Sequence, residues 1–329
     1  MTSAIVRLVF SLVAFFCCSA ANAQTGQAFP SKPIRIIIPY GPGGTTDAIA
    51  RAVGPVITDS TGQPVIVEHR PGAGTVVGMR ACANAAPDGY TVCITVPDSL
   101  SYNPHLFTDV QYDPDADFTP ITNLAFTSNL LVASARVPFN TFKEMVAYAK
   151  AKPGAINWGT WGAATLPDVY MRWVEYMAGV DITAVPYKGL APVMAAMQSG
   201  EVDMTYIGFG TALPQIKAGK LKPIVTVGTK RSVHMPELPT LAEEGGDPSL
   251  VSYFGVFGPA KLPPPILERL NREFANAIRS ARLEDFRRAY TLEAVGSSAA
   301  EFAELVKADR ANAGRLFKSI GIKPTNVPF

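Results

Sequence analysis

The sequence predicts an α/β fold in which one domain is inserted into another, and three observations predict it. Short β-branched runs recur along the chain, and most gaps between them are long enough for a crossover helix. Two irregular stretches interrupt that cadence: "YDPDADFTPITNLAFTSNLL" and the region from Val227 to Gly246. Two interruptions suit two chain crossings between domains, with a cleft where strand-end loops converge.

The strands read as Ile34 to Pro39, Val65 to Glu68, Thr91 to Val96, Leu130 to Ser134, Ile156 to Gly159, Ile182 to Pro186, Met204 to Ile207, Ile224 to Val227 and Phe254 to Phe257. A helix begins near Thr45 or Thr46. Thr141 with Glu144 and Thr165 with Asp168 have capping-box spacing, as does Ser298 with Glu301. "PPPILERLNREFANAI" puts Ile266, Leu270, Phe274 and Ile278 on one face. Trp173 and the Phe, Met and Leu stripes read as core. The resulting partition is 24–123 and 229–329 for one domain and 124–228 for the other.

The first 23 residues carry Arg7, the apolar run "LVFSLVAFFCCSA" and "ANA", the pattern of a cleaved export signal ending near Ala23. An anchor at Cys17 or Cys18 is the rival, but Phe16 is bulky where such sites usually carry a small residue. No later apolar run approaches the length a bilayer requires. Export leaves Cys82 and Cys93 as the mature cysteines, either bonded in an oxidising compartment or held as two small buried thiols. The net charge of +2 has no concentrated basic tract behind it, which argues against nucleic acid as a partner.

Catalytic and cofactor chemistry find little support. Gly72, Gly74 and Gly78 resemble a dinucleotide fingerprint, with Asp98 placed as a ribose acceptor, but His69 to Pro71 separate the strand from the first glycine. His69, His105 and His234 are widely spaced, with no HExxH pair and no GxSxG elbow, so neither a metal nor a cofactor is expected. What remains is a set of small-residue turns beside strands: "YGPGGTTD", "RPGAGTVVG", "NWGTWGAATLPD", "PYKG" and "IGFGTAL". In the first, Gly41, Gly43 and Gly44 open a helix whose leading N–H groups lack partners. An anion satisfies such groups, and so do hydroxyls and water in a merely structural turn.

At family level the sequence resembles the exported receptors of tripartite tricarboxylate transporters, the Bug or TctC-like proteins. The matching segments run from "PSKPIRIIIPYGPGGTTD" and "VIVEHRPGAGTVVG" through "APDGYTV", "YNPHLF", "YDPDADFTPI", "AKAKPGAINWGT", "VPYKG" and "SGEVDM" to "LPTLAEEG". The resemblance implies a two-domain periplasmic binding protein of type II-like fold with its ligand cleft between domains. It also implies a monomer that delivers a carboxylate to large and small membrane permease subunits. Carried over by position, it implicates Tyr40, Gly43, Gly44 and Thr45 in the first loop and Gly159, Thr160 and Ala164 in the opposite one. Gly74 borders the same space, and Asp47 organises its loop rather than touching an anion.

The departure from the family lies in "NWGTWGAAT", which carries Trp158 and Trp161 where relatives are richer in Ser, Asn and Gly. Trp161, with Phe209 near another strand end, makes a flat apolar slot and favours a ring-bearing acid such as terephthalate over citrate. The competing function is an exported hydrolase acting on a small carboxylated substrate, which would turn its ligand over; an adaptor would have no saturable site.

Overall fold

Ile34–Ile38 forms a strand whose four isoleucines are no more than 1% exposed, while Arg35 between them reaches Glu68 and Thr91 at the surface. This strand, buried on both faces, anchors the first sheet of the computed structural model, which describes residues 29–228, 231–232, 234–246 and 252–327. The export signal, its cleavage near Ala23 and the rival anchor at Cys17 or Cys18 lie outside the described residues. Both sheets belong to one compact unit, residues 32–329.

In chain order the strands are β1 (Ile34–Ile38), β2 (Val65–His69), β3 (Thr91–Thr95), β4 (Phe118–Thr127), β5 (Asn129–Ser134), β6 (Asn157–Thr160), β7 (Thr183–Pro186), β8 (Met204–Gly208), β9 (Leu221–Val227), β10 (Tyr253–Pro259) and β11 (Leu292–Ala294). The first sheet has the order β11-β4-β10-β3-β1-β2 and the second β7-β6-β8-β5-β9. All strands of the second sheet therefore lie between β4 and β10 in sequence. The chain leaves the first sheet at Thr127, enters the second at Asn129, and returns between Val227 and Tyr253.

The helices are α1 (Thr45–Thr61), α2 (Val76–Ala83), α3 (Asn103–Leu106), α4 (Phe142–Ala151), α5 (Leu166–Ala178), α6 (Leu190–Ser199), α7 (Phe209–Lys217), α8 (Pro264–Arg279), α9 (Glu284–Ala289) and α10 (Ala299–Ser319). Parallel pairing of β1 with β2 and β3, and of β6 with β7 and β8, leaves the β1–α1 and β6–α5 loops at the carboxyl ends of strands. Those ends are where open α/β sheets present their ligand loops. Leu270, Phe274 and Ile278 are buried along α8, with Ile266 partly covered at its start. Trp173 is buried as core.

Two strands escaped the sequence reading. The stretch taken as an irregular crossing contains β4, whose pairing with β10 shifts register twice and whose Pro120 breaks the apolar alternation. β11 has only three residues. The caps also differ. Ser298 and Glu301 form the full reciprocal box, whereas Glu144 reaches back to the Asn140 N–H instead of that of Thr141. Thr165 does not cap α5 at all: its hydroxyl donates to the Gly162 carbonyl. Cys82 on α2 and Cys93 on β3 are joined by a disulfide, both fully buried beside the first sheet.

Candidate functional site

The loop after β1 is built on Asp47. The Gly43 N–H donates to its Oδ2 at 3.1 Å, and Arg51 Nε donates to its Oδ1 at 2.8 Å. His69 Nε2 lies 2.9 Å from the same Oδ1. Burial alone would push this carboxyl up; the Gly43 amide, His69 and Arg51 outweigh it and hold Asp47 below its ordinary value. Fully engaged within its own loop, Asp47 leaves the start of α1 without a side-chain cap, since the preceding residue is Gly44. Gly43, at φ +91°, is the position that demands glycine; Gly44, at φ −86° with open space around it, is not.

The loop after β6 repeats the design. Asp168 occupies the third position of α5, as Asp47 does in α1, and accepts from the Ala164 N–H at 2.9 Å and from Arg172 at 3.1 Å. This helix also starts without a side-chain cap. Each sheet thus contributes one helix N-terminus without a side-chain cap, a polar surface suited to anions; in α5 the Leu166 amide faces Asp98 and Pro167 has no N–H.

The two loops line a shared cavity. The first sheet's side supplies Tyr40, Gly44, Thr45, Asp47, Val96 and Phe254. The second supplies Asn129, Trp161, Leu166, Gly189, Tyr206 and Gly208. An adjoining cavity shares Tyr40, Gly41, Trp161 and Gly189 and adds the Gly74 turn and Lys188. The sides meet backbone to backbone: a Cβ placed on Gly74 would stand 2.6 Å from the Ala163 carbonyl oxygen, and one on Gly41 2.6 Å from that of Lys188.

Tyr40, Gly44, Thr45, Asp47, Gly74 and Trp161 are therefore brought together as cavity lining. Gly43 and Ala164 support the loops from behind, each through the N–H it gives to an aspartate. Four expected positions lie elsewhere. Trp158 is fully buried in a strand covered on both faces, and Thr160 is 1% exposed. Gly159 owes its smallness to packing, since a Cβ there would meet Val193 at 2.6 Å. Phe209, taken as one wall of an aromatic slot, is instead in the second sheet's core with Leu130, Val193 and Ala212. Tyr40, Tyr206 and Phe254 are the rings that share the cavity with Trp161.

Sequence reasoning missed Asn129, Leu166 and Tyr206. Asn129 opens a strand that was read as starting at Leu130, and its buried Nδ2 has no hydrogen-bond partner among the described residues. The histidines serve locally: His69 holds Asp47, and His105 Nε2 lies 2.9 Å from the Arg310 carbonyl oxygen. Among the described residues no cluster of side chains is arranged to hold a metal.

Two interleaved α/β lobes that turn helix N-termini toward one cavity define a two-domain binding protein of the periplasmic type. The profile described as TctC, tripartite tricarboxylate transporter family receptor, matches residues 49–322, and the chain belongs to that family. A Cupriavidus necator relative, the UPF0065 protein of the gbd 5′ region, is 37% identical over 259 residues, covering 78% of each chain. The solved R. palustris protein Rpa4515 with adipate superposes with a TM-score of 0.85 at 29% identity, covering 90% of this chain and 99% of its own. MatC from Rhodopseudomonas palustris with bound malate gives 0.83 at 26% identity, covering 88% and 99%. The chain is accordingly a solute-binding receptor of that family and not an enzyme.

Proposed function

We propose that this receptor captures a dicarboxylate, with an aromatic one such as terephthalate favoured, and hands it to the large and small subunits of a tripartite permease. The carrying observation is the cavity itself, where two helix N-termini face a space walled by Tyr40, Trp161, Tyr206 and Phe254. The first amides of α1 and Asn129 Nδ2 supply donors for carboxylate oxygens, which are costly to bury unpaired. The rings supply apolar walls for what lies between the carboxylates. Adipate and malate on similar receptors support a dicarboxylate of this length class.

The export signal is removed near Ala23, and the mature monomer works in the periplasm. Its domains are those of the sequence partition, with the first crossing drawn to Ser128 between β4 and β5. Ligand identification by native mass spectrometry of the exported protein, followed by calorimetry with terephthalate, benzoate, adipate and citrate, tests this reading. Terephthalate binding more tightly than citrate supports it. Citrate binding more tightly, or chemical alteration of the bound acid, overturns it.

A further inference from the structure

Asp98 stands just after β3, fully buried, in a position no ligand-binding account uses. Its Oδ1 accepts from the hydroxyls of Tyr40 and, at 3.2 Å, Ser99. Ser99 in turn contacts Thr95 and Thr75, and Asn103 donates to Thr75 and to the Gly74 carbonyl, so a buried polar chain joins the two cleft turns. Oδ2 accepts no hydrogen bond of ordinary geometry among the described residues. The amides of Ser99 and of Leu166 favour the charged form only in part. Leu166 opens α5 on the opposite side of the cleft, so the surroundings of Asp98 depend on both lobes.

Among the described residues no cation is recorded as offsetting this burial. Tyr40, Tyr112, Tyr206 and Tyr253 are the titratable side chains that sense Asp98, and all are neutral near pH 7. On α5 the nearest charges, Asp168 and Arg172, are paired with each other; on α1, Asp47 is paired with Arg51 and His69. An isolated carboxylate closed away from water is unfavourable, and protonation relieves it.

We propose that Asp98 is a proton-binding residue of the cleft, so that closure over a carboxylate ligand takes up a proton from solution. Burial pushes the Asp98 carboxyl up to about 7, although its hydrogen bonds to Tyr40 and Ser99 oppose the shift. With the lobes apart, α5 no longer covers it and its affinity for the proton falls toward the ordinary carboxylate range. A group whose proton is held more tightly in the closed form favours closure at low pH, and that contribution is lost as pH rises through the closed-state value. The proposal rests on the carboxylate reading of the cleft.

Calorimetry of the mature protein with terephthalate, adipate and malate at pH 8.5, 7.5 and 6.5, in two buffers of different ionisation enthalpy, measures both affinity and proton uptake. Affinity should tighten about fourfold from pH 8.5 to 6.5, with about half a proton taken up near pH 7. Asp98→Asn, permanently uncharged, should still bind but lose both the slope and the uptake. Binding without proton uptake, or a slope that survives in Asp98→Asn, overturns the proposal and leaves the receptor reading standing. If none of the three acids binds at any pH, both fall. Should Asp98→Asn fail to fold, the two-buffer measurement on the native protein decides alone.

Discussion

Asp47 and Asp168 do the same work in the two halves of the molecule. Each sits at the third position of a helix, accepts the backbone N–H four residues earlier, and pairs with an arginine four residues later. Each carboxylate thereby fixes the turn that precedes its helix without capping the helix itself. The cleft is a duplicated turn, one copy on each sheet.

Replacing either aspartate by alanine leaves a backbone N–H without its partner, a loss of about 1–3 kcal/mol where the group stays buried. Asp47→Ala and Asp168→Ala should each weaken ligand binding more than they lower the melting temperature, because the turns shape the cavity while the sheets hold the fold. Since Asp47 lies below its ordinary value, its contribution is full at neutral pH and is lost as pH falls into and below the carboxylate range near ~4. Calorimetry beside thermal melts checks this; equal affinity in wild type and both variants would show that the turns hold without them.

The glycines of "RPGAGTVVG" separate closure from folding. Gly78 lies against Pro39 and the Arg70 carbonyl, where a Cβ would stand 2.7 Å from each, so Gly78→Ala overpacks the first sheet's edge and should cost about 1–3 kcal/mol of stability. Gly74, at φ +57°, faces the Ala163 carbonyl across the cleft, and a Cβ there would also stand 2.8 Å from the Phe107 ring of its own lobe, so some loss of stability accompanies its substitution. Gly74→Ala should therefore reduce ligand affinity by more than its effect on the ligand-free melt explains. A reversed ranking, with Gly78→Ala harmless to stability, would remove this division of roles.

These turns also show what the sequence could disclose. The strand after Lys32, the helix start at Thr45 and the reach of Asp47 into its loop are local, set by a continuous apolar run and a carboxylate at a helix's third position. Gly72, Gly74 and Gly78 looked like a nucleotide fingerprint because spacing records small size without recording its cause. Trp158, Gly159 and Phe209 were legible as strand-end residues, but which face a strand turns to its core depends on the helices packed against it. β4 was hidden by its bulges, and Asn129, Leu166 and Tyr206 meet in the cavity only through the double crossing of the chain. Asp98 was noticed for the wrong ligand: its position after a strand was readable, its burial was not.

The Cys82–Cys93 disulfide closes a short loop, with a sequence separation of 11. It ties α2 to β3, beside the strand that carries the first cleft turn. Loop-closure entropy assigns such a bond about 3 kcal/mol. Cys82→Ser with Cys93→Ser should lower the denaturant midpoint accordingly, whereas ligand affinity measured well below that midpoint should change little. A midpoint unchanged between the oxidised and doubly substituted proteins would show that the bond adds nothing to stability.

Trp161 is the residue through which ligand chemistry is best tested, because it lines both adjoining cavities and packs its inner edge on the second sheet's core. A ring in the ligand gains about 0.5–1.5 kcal/mol from well-oriented aromatic contact beyond the area it buries, and an aliphatic chain gains only the area. Trp161→Ala should therefore weaken terephthalate by roughly tenfold and adipate by less, the residual affinity coming from the helix N-termini and from Tyr40, Tyr206 and Phe254. Trp161→Phe should recover most of the difference, since a smaller ring keeps the flat wall. Equal losses for the two acids in Trp161→Ala would mean that the indole shapes the cavity without reading the ring, and the preference for aromatic acids would then have to be abandoned.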